Sequence, residues 1–323
     1  GPGAVAGHCA RLVPAGAADD TAVRFALDAL VVHASRPGAD EERKRLVRAL
    51  GEAIKTASHA EVQAFLIAEV RLAGGREAVR TLSDRLKDGR TAEPAAGALA
   101  ALGGEDAERA LIKALDGASR EMKVSFIQAL GRMRSRRAVT KLLPYAGGKD
   151  DGLRLASLEA LAMSGDPAAA PAFERIRLLA PAPERMKIPS LLVLFGRRLH
   201  ESGEREAALE IARGAIGSFV QPSESQIRSQ ALTLLSEILG PAALEDLLEA
   251  ADANDKDYRV HALNAAAGLK GPDATLRWAA KLAAAPPELE ITMLRRPTRA
   301  QMMAHLPAAE FLISERAGGV DAG

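Results

Sequence analysis

Few residues in this chain have types and spacing that could do chemistry. His200 and Glu201 form one adjacent His-Glu step. A di-iron centre built from such steps needs several nitrogen and carboxylate ligands, so one step leaves the metal short of donors. What remains for His200 is a helix end, where a partly charged imidazole suits the dipole. Cys9, the single cysteine, follows His8 and has no second cysteine for a disulfide or a haem-attachment spacing. No Gly-rich loop follows a strand, and no Ser-His-Asp or Cys-His set can be assembled from spacing. One Trp and two Tyr make no stacking platform for bases; Trp278, with Leu276 and Leu282 nearby, reads as a packing residue. The sequence predicts no catalytic residue, no cofactor and no metal site.

The strongest charge feature is Arg132, Arg134, Arg136, Arg137 and Lys141, with Arg120 and Lys123 just before them and Glu121 in opposition. Guanidinium forks near free backbone N–H groups at a helix start suit a phosphate, sulfate or carboxylate-bearing partner, which makes these five the candidate partner-binding residues. The same side chains also suit a solvated ridge paired with acidic residues of neighbouring repeats, such as Glu105, Asp106 and Asp166, and that reading is the preferred one. A second, acidic cluster runs through Glu245, Asp246, Glu249, Asp252, Asp255 and Asp257. Opposite charges at separate positions permit directional docking or serve solubility alone. With a net charge of +1 the chain as a whole is a poor polyanion binder, and nucleic acid is a disfavoured partner.

These side chains are carried by a recurring unit. Gly74-Gly75-Arg76-Glu77-Ala78, Gly103-Gly104-Glu105-Asp106-Ala107 and Gly165-Asp166-Pro167-Ala168-Ala169 each end one apolar stripe and open another. Between the last two, Arg134 stands at the glycine position, so the spacings are 29, 31 and 31 residues. Further turns open at Gly203, Gly240 and Gly271. A period near thirty with a glycine turn marks a solenoid. Within one unit, Ala107, Ala110, Leu111, Ala114 and Leu115 fall on one side of a helix, with Glu108, Arg109 and Lys113 outside. Alanine allows close helix approach and is the best helix former. One pair cannot bury its stripe alone, but stacking buries it against the neighbours. Predicted interior positions are Leu99, Leu102, Leu111, Leu115, Phe126, Ile127, Leu130, Leu158, Leu161 and Phe173.

The string from Ala160-Leu161 through Gly165-Asp166-Pro167 to Ala170-Pro171-Ala172-Phe173 resembles the HEAT repeat in its bacterial HEAT-like form, over about residues 60 to 285. The segment Asp19 to Leu27, followed by Ser35-Arg36-Pro37-Gly38-Ala39, is similar to the start of HEAT arrays in planctomycete-type multidomain proteins, where a keto-disaccharide hydrolase domain often sits beside the array. The resemblance implies packing and transfers no catalytic residue. Deoxyhypusine hydroxylase, alkylpurine DNA glycosylases and bilin lyases are HEAT-like enzymes, yet the paired His-Glu steps of the first and the aromatic basic groove of the second have no counterpart here, and nothing marks a tetrapyrrole site.

The expected architecture is an all-α, right-handed α-solenoid of about eight helix pairs. Helices are predicted at about 21–34, 40–57, 59–73, 76–87, 91–102, 105–116, 119–133, 136–145, 150–164, 168–179, 183–202, 204–216, 223–239, 241–252, 256–270 and 273–284, with two or three short ones to about 314. No segment alternates as a strand would. Near half the residues (48%) are apolar, but no run approaches the roughly 20 that a membrane span needs. One continuous array over 19–314 is expected, with an interior running from Val23 to Leu282. Residues 1–18 are expected to be a flexible segment whose Gly1-Pro2-Gly3 reads as a tag scar, and 315–323 a linker toward further chain. Ile188-Pro189 is expected in or near the start of a helix that it could kink. The sequence leaves the compartment open. It points to a non-catalytic protein-interaction or scaffold module that offers a concave face, lined by the second helix of each pair, to a protein or peptide. The alternatives are glycan contacts within a carbohydrate-active enzyme and, third, nucleic-acid binding.

Overall fold

A computed structural model describes residues 2–179, 187–267, 269 and 277. Among them every regular element is a helix, and the helices stack as in an α-solenoid. The chain divides into two compact units, Gly1–Leu179 and Ala180–Gly323.

The first unit contains α1 (Pro2–Cys9), α2 (Thr21–Ala34), α3 (Asp40–Thr56), α4 (Ala60–Ala73), α5 (Gly75–Arg85), α6 (Ala92–Leu102), α7 (Gly104–Ala114), α8 (Arg120–Arg132), α9 (Val139–Ala146), α10 (Asp151–Ser164) and α11 (Ala170–Leu179). The turns lie where the repeat places them. Gly74 and Gly103 sit at φ 67° and 68°, a left-handed conformation that a Cβ would strain, and each ends one helix as the next begins. Ser119, Asp150 and Asp166 accept side-chain hydrogen bonds from Met122, Leu153 and Ala168, capping α8, α10 and the 3-10 turn Pro167–Ala169 that leads into α11. Pro167 occupies the first position of that turn, as the Asp-Pro pair predicts.

The first helices of successive pairs, α4, α6, α8 and α10, pack against one another in order. Small residues permit the approach. Ala95, Ala96 and Ala98 are buried on α6, and Gly131 of α8 faces Ala160 of α10 so closely that a Cβ on the glycine would lie 3.1 Å from the alanine Cα. Nine of the ten predicted interior residues are buried. Leu102 is the exception. It is the last residue of α6, and the chain turns at Gly103 before another layer can cover it, so it is half-buried at the rim.

Residues 2–9 form a helix where the sequence suggests a flexible segment. Val5, Cys9 and Leu12 are buried, and α1 packs on α3, so tertiary burial overrides a weakly patterned sequence.

The second unit contains α12 (Ile188–Glu201), α13 (Arg205–Ser218), α14 (Ser225–Leu239), α15 (Leu244–Ala250) and α16 (Lys256–Ala267). Pro189 lies in the first turn of α12, where its missing N–H costs no helical bond, so it starts the helix and does not kink it. Gly196 lets α12 approach α13 and α14; a Cβ there would meet Ile211 Cγ2 at 2.9 Å and Leu234 Cδ2 at 2.8 Å. Tyr258 is buried on α16 beneath the Arg228 guanidinium, 4.0 Å from its ring centroid. The expected elements at 273–284 and onward to 314, the Gly271 turn, Leu276, Trp278, Leu282 and the tail from 315 lie outside the described residues. A single interior from Val23 to Leu282 thus remains an expectation. No described helix is long and apolar enough to cross a membrane.

Candidate partner-binding site

The arginine turn follows from how α8 ends. Ser135 N–H donates to Leu130 C=O at 3.1 Å and Arg134 N–H to Gly131 C=O at 2.9 Å, the two bonds of a Schellman closure, and they force Arg134 to φ 53°. Gly203 makes the same closure in the second unit, with Glu204 N–H to Leu199 C=O at 2.9 Å and its own N–H to His200 C=O at 3.0 Å. The arginine turn thus differs from the aligned turns at Gly74 and Gly103, whose N–H groups donate to Val70 and Leu99 and whose ψ values are −165° and −166°. A side chain occupies a conformation that disfavours one.

The next residues are tied into the unit. Ser135 Oγ donates to Glu108 at 2.6 Å and accepts from Ala138 N–H at 3.1 Å, which joins α7 to the turn before α9. Arg137 reaches Glu105 at 2.6 Å and Glu108 at 3.3 Å on α7. Arg136 pairs with Asp166 at 3.4 Å, and Lys141 with Asp116 at 2.5 Å. The Arg137 guanidinium holds the Glu105 carboxyl below its ordinary range. Two of the three acidic residues anticipated from sequence are therefore partners, while Asp106 turns to Arg109 of its own helix at 3.0 Å. Arg120, expected beside this cluster, grips Asp150 with two bonds of 2.5 and 3.1 Å and lowers its pKa.

Arg132 belongs elsewhere. It closes α8 on the face of the first helices, where an open depression of about 550 Å³ is lined by α4, α6 and α8 and includes Glu61, Arg90, Glu93, Ser125, Gln128 and Arg132. Arg132, Glu93 and Gln128 make no side-chain hydrogen bond or ion pair among the described residues, whereas Glu61 accepts from Ala15 N–H at 2.9 Å. The five predicted residues accordingly do not converge on one cationic surface. The depression also lies over the first helices, where the sequence points to a face lined by the second. The stacking of alanine- and glycine-rich first helices is the packing cause.

The other candidates acquire structural roles. Asp255 accepts from Ser225 Oγ and from the N–H groups of Asp257 and Tyr258 at 3.0 and 3.2 Å, so one member of the acidic cluster is the cap of α16, its carboxyl held low first by Ser225. Glu245 pairs with Arg277. Glu201 is bound to Arg198 at 2.6 Å, and His200 is half-buried at the end of α12. Among the described residues no three His, Cys, Asp or Glu side chains cluster to hold a metal ion. Cys9 is buried, and burial pushes its thiol up to about 11, far from a reactive thiolate. Sequence pattern did not single out Glu69, a carboxyl buried on α4 and pushed up to about 7 by that burial. The available signal was its place on the stripe Val62, Leu66, Glu69 and Ala73.

Residues 108–188 match the family described as HEAT repeats. No curated protein matches the chain. Among solved structures, an engineered protein of the Northeast Structural Genomics Consortium is 16% identical, with a TM-score of 0.46 over 96% of this chain and 98% of that one. The complex of CpcE and CpcF of phycocyanin lyase from Nostoc sp. PCC7120 is 18% identical, with a TM-score of 0.37 over 74% and 95%.

Proposed function

We propose that the chain is a non-catalytic protein-interaction or scaffold module, and that its partner lies across α4, α6 and α8. The observation that carries this reading is the depression over those three helices, whose Arg132, Glu93 and Gln128 make no side-chain hydrogen bond or ion pair among the described residues. Polar side chains unpaired in the free protein suit a surface that completes its hydrogen bonds on binding. No aromatic residue lines the depression, so it lacks the stacking surface that a glycan ring or an unstacked base would use. Arg134, Arg136, Arg137 and Lys141 are proposed as secondary contacts, since a partner must displace acidic groups already bound to at least three of them.

Site-specific photocrosslinking tests the reading. A photoreactive residue at Gln128 should yield discrete protein adducts in extract of the source cells, and one at Lys113, exposed on α7, should not. Equal adduct patterns at the two positions would overturn it.

A further inference from the structure

Helices α2 and α4 run side by side, and their residues match in register. The Arg24 guanidinium lies over the Phe65 ring, 4.6 Å from its centroid, and four residues further along each helix the Asp28 charge acts on Glu69. One turn beyond lie Val32 and Leu72. Phe25, Asp28 and Val32 share one face of α2 at i, i+3 and i+7; Phe65, Glu69 and Leu72 share one face of α4 at i, i+4 and i+7. The crease between the helices thus has one exposed carboxyl, Asp28, beside a covered one, Glu69, with apolar residues on both shoulders.

Two features of this crease are costly in the free protein. Phe25, Val32 and Leu72 are 74%, 65% and 48% exposed, a group of large apolar side chains gathered on adjacent helices. Glu69 is only 4% exposed, yet its Oε2 has no hydrogen-bond partner. Neither Glu69 nor Asp28 has an ion-pair partner among the described residues. Arg24, the cation nearest Asp28 on α2, is committed to Asp20 at 2.8 Å and to Val13 C=O at 2.9 Å. Arg71 acts on Glu69 only through its charge, from two residues along the same helix. A buried carboxyl without a partner is a liability that a charge-assisted hydrogen bond would remove.

We propose that this α2–α4 face docks an amphipathic helix of a partner protein, one that sets a single arginine or lysine between apolar residues. The apolar shoulders take the partner's aliphatic side chains, and its cation pairs with the exposed Asp28 and lies over the covered Glu69. The proposal rests on the protein-interaction reading and adds a second surface with its chemistry. Burial holds the Glu69 carboxyl at about 7, so the incoming cation drives off its proton, and binding strengthens as pH rises through that value. Asp28 on α2 and Arg71 on α4 are the charged groups that bear on it.

The test uses the full chain and a stapled helical peptide carrying Leu-x-x-Arg-x-x-x-Leu, with a control in which norleucine replaces the arginine. Fluorescence anisotropy should show the arginine peptide binding about tenfold more tightly, the scale of one charge-assisted hydrogen bond. Glu69→Gln should erase that preference together with its pH dependence, and Phe25→Ser should weaken both peptides alike. If Glu69→Gln does not fold, as circular dichroism will report, Asp28→Asn on the exposed side carries the same test and should reduce the preference. Equal affinity for the two peptides, or a preference that survives the carboxyl substitution, overturns the proposal. So does self-association of the chain that Phe25→Ser abolishes, because a second copy would then be the occupant. None of these outcomes touches the Gln128 adducts, so this docking site and the broader interaction reading can fail separately.

Discussion

Gly131 on α8 seats directly against Ala160 on α10: an added Cβ would stand 3.1 Å from the alanine Cα and 3.2 Å from its Cβ, tighter than ordinary van der Waals contact. The contact lies between two backbones, so neither helix can yield by moving a side chain. Gly131→Val should therefore push α8 and α10 apart and cost roughly 1 to 3 kcal/mol or more by overpacking. Urea unfolding measures it, and an unchanged midpoint would mean that the helices are not held at this distance.

Leu111 is fully buried on α7. Leu111→Ala should cost roughly 2 to 5 kcal/mol through lost burial and the cavity left behind. Thermal unfolding indistinguishable from the parent would place Leu111 outside the core and break the repeat register.

Arg134 holds a left-handed conformation, φ 53°, that glycine adopts without strain. Arg134→Gly should leave the turn intact and raise stability by at most about 1 kcal/mol, because relief of roughly 1 to 2 kcal/mol of left-handed strain is offset by about 0.4 to 1 kcal/mol of added unfolded-state entropy and by any contact its side chain makes. A marked loss in unfolding midpoint would show that the side chain outweighs the backbone strain.

Reversing Arg134, Arg136 and Arg137 together to Glu breaks the pairs with Glu105, Glu108 and Asp166 on a solvent-exposed surface. The helical content should survive, and the midpoint should fall less than in Leu111→Ala, because exposed pairs contribute little. A partner that uses these arginines should lose affinity at low salt and little at high salt. An affinity unchanged by the reversal assigns the turn to intramolecular pairing alone.

Stability should also depend on pH through Glu69. Its carboxyl titrates at about 7 in the folded chain against an ordinary 4.5, so between those values the unfolded chain has lost a proton that the folded chain keeps. That difference favours unfolding progressively from about pH 4.5 to 7 and is constant above. Glu69→Gln should accordingly gain on the parent over that interval and hold its lead beyond it. A stability difference between the two proteins that stays flat from pH 4 to about 8 would show that the carboxyl titrates normally.

Much of the fold is legible in the sequence because its information is local. Gly74 and Gly103 mark the turns, and the Leu111 and Leu115 stripe shows which side of α7 is inward. Asp166-Pro167 marks where the next element starts. The charged side chains were less legible. Arg137 and Glu105 are thirty-two residues apart, and only stacking brings them together. Arg132 is four positions from Arg136, yet it lines the depression over α4, α6 and α8 while Arg136 pairs with Asp166. Helix α1 has too weak a pattern to announce itself and is held by its burial against α3. The Asp28–Glu69 crease depends on the register of two helices not adjacent in sequence, which no window along the chain reveals.

The two glycine turns have a consequence for how such a chain can change length. Gly74 has φ 67° and ψ −165°, and Gly103 has φ 68° and ψ −166°, so the polypeptide leaves α4 and α6 along nearly the same path. The stretch between these glycines therefore begins and ends at equivalent joints. A second copy of residues 75–103 spliced after Gly103 would meet α7 through the same dihedral angles that α6 already presents. Tandem duplication at this point is a low-strain route to a longer protein, and deletion of the same stretch is a route to a shorter one.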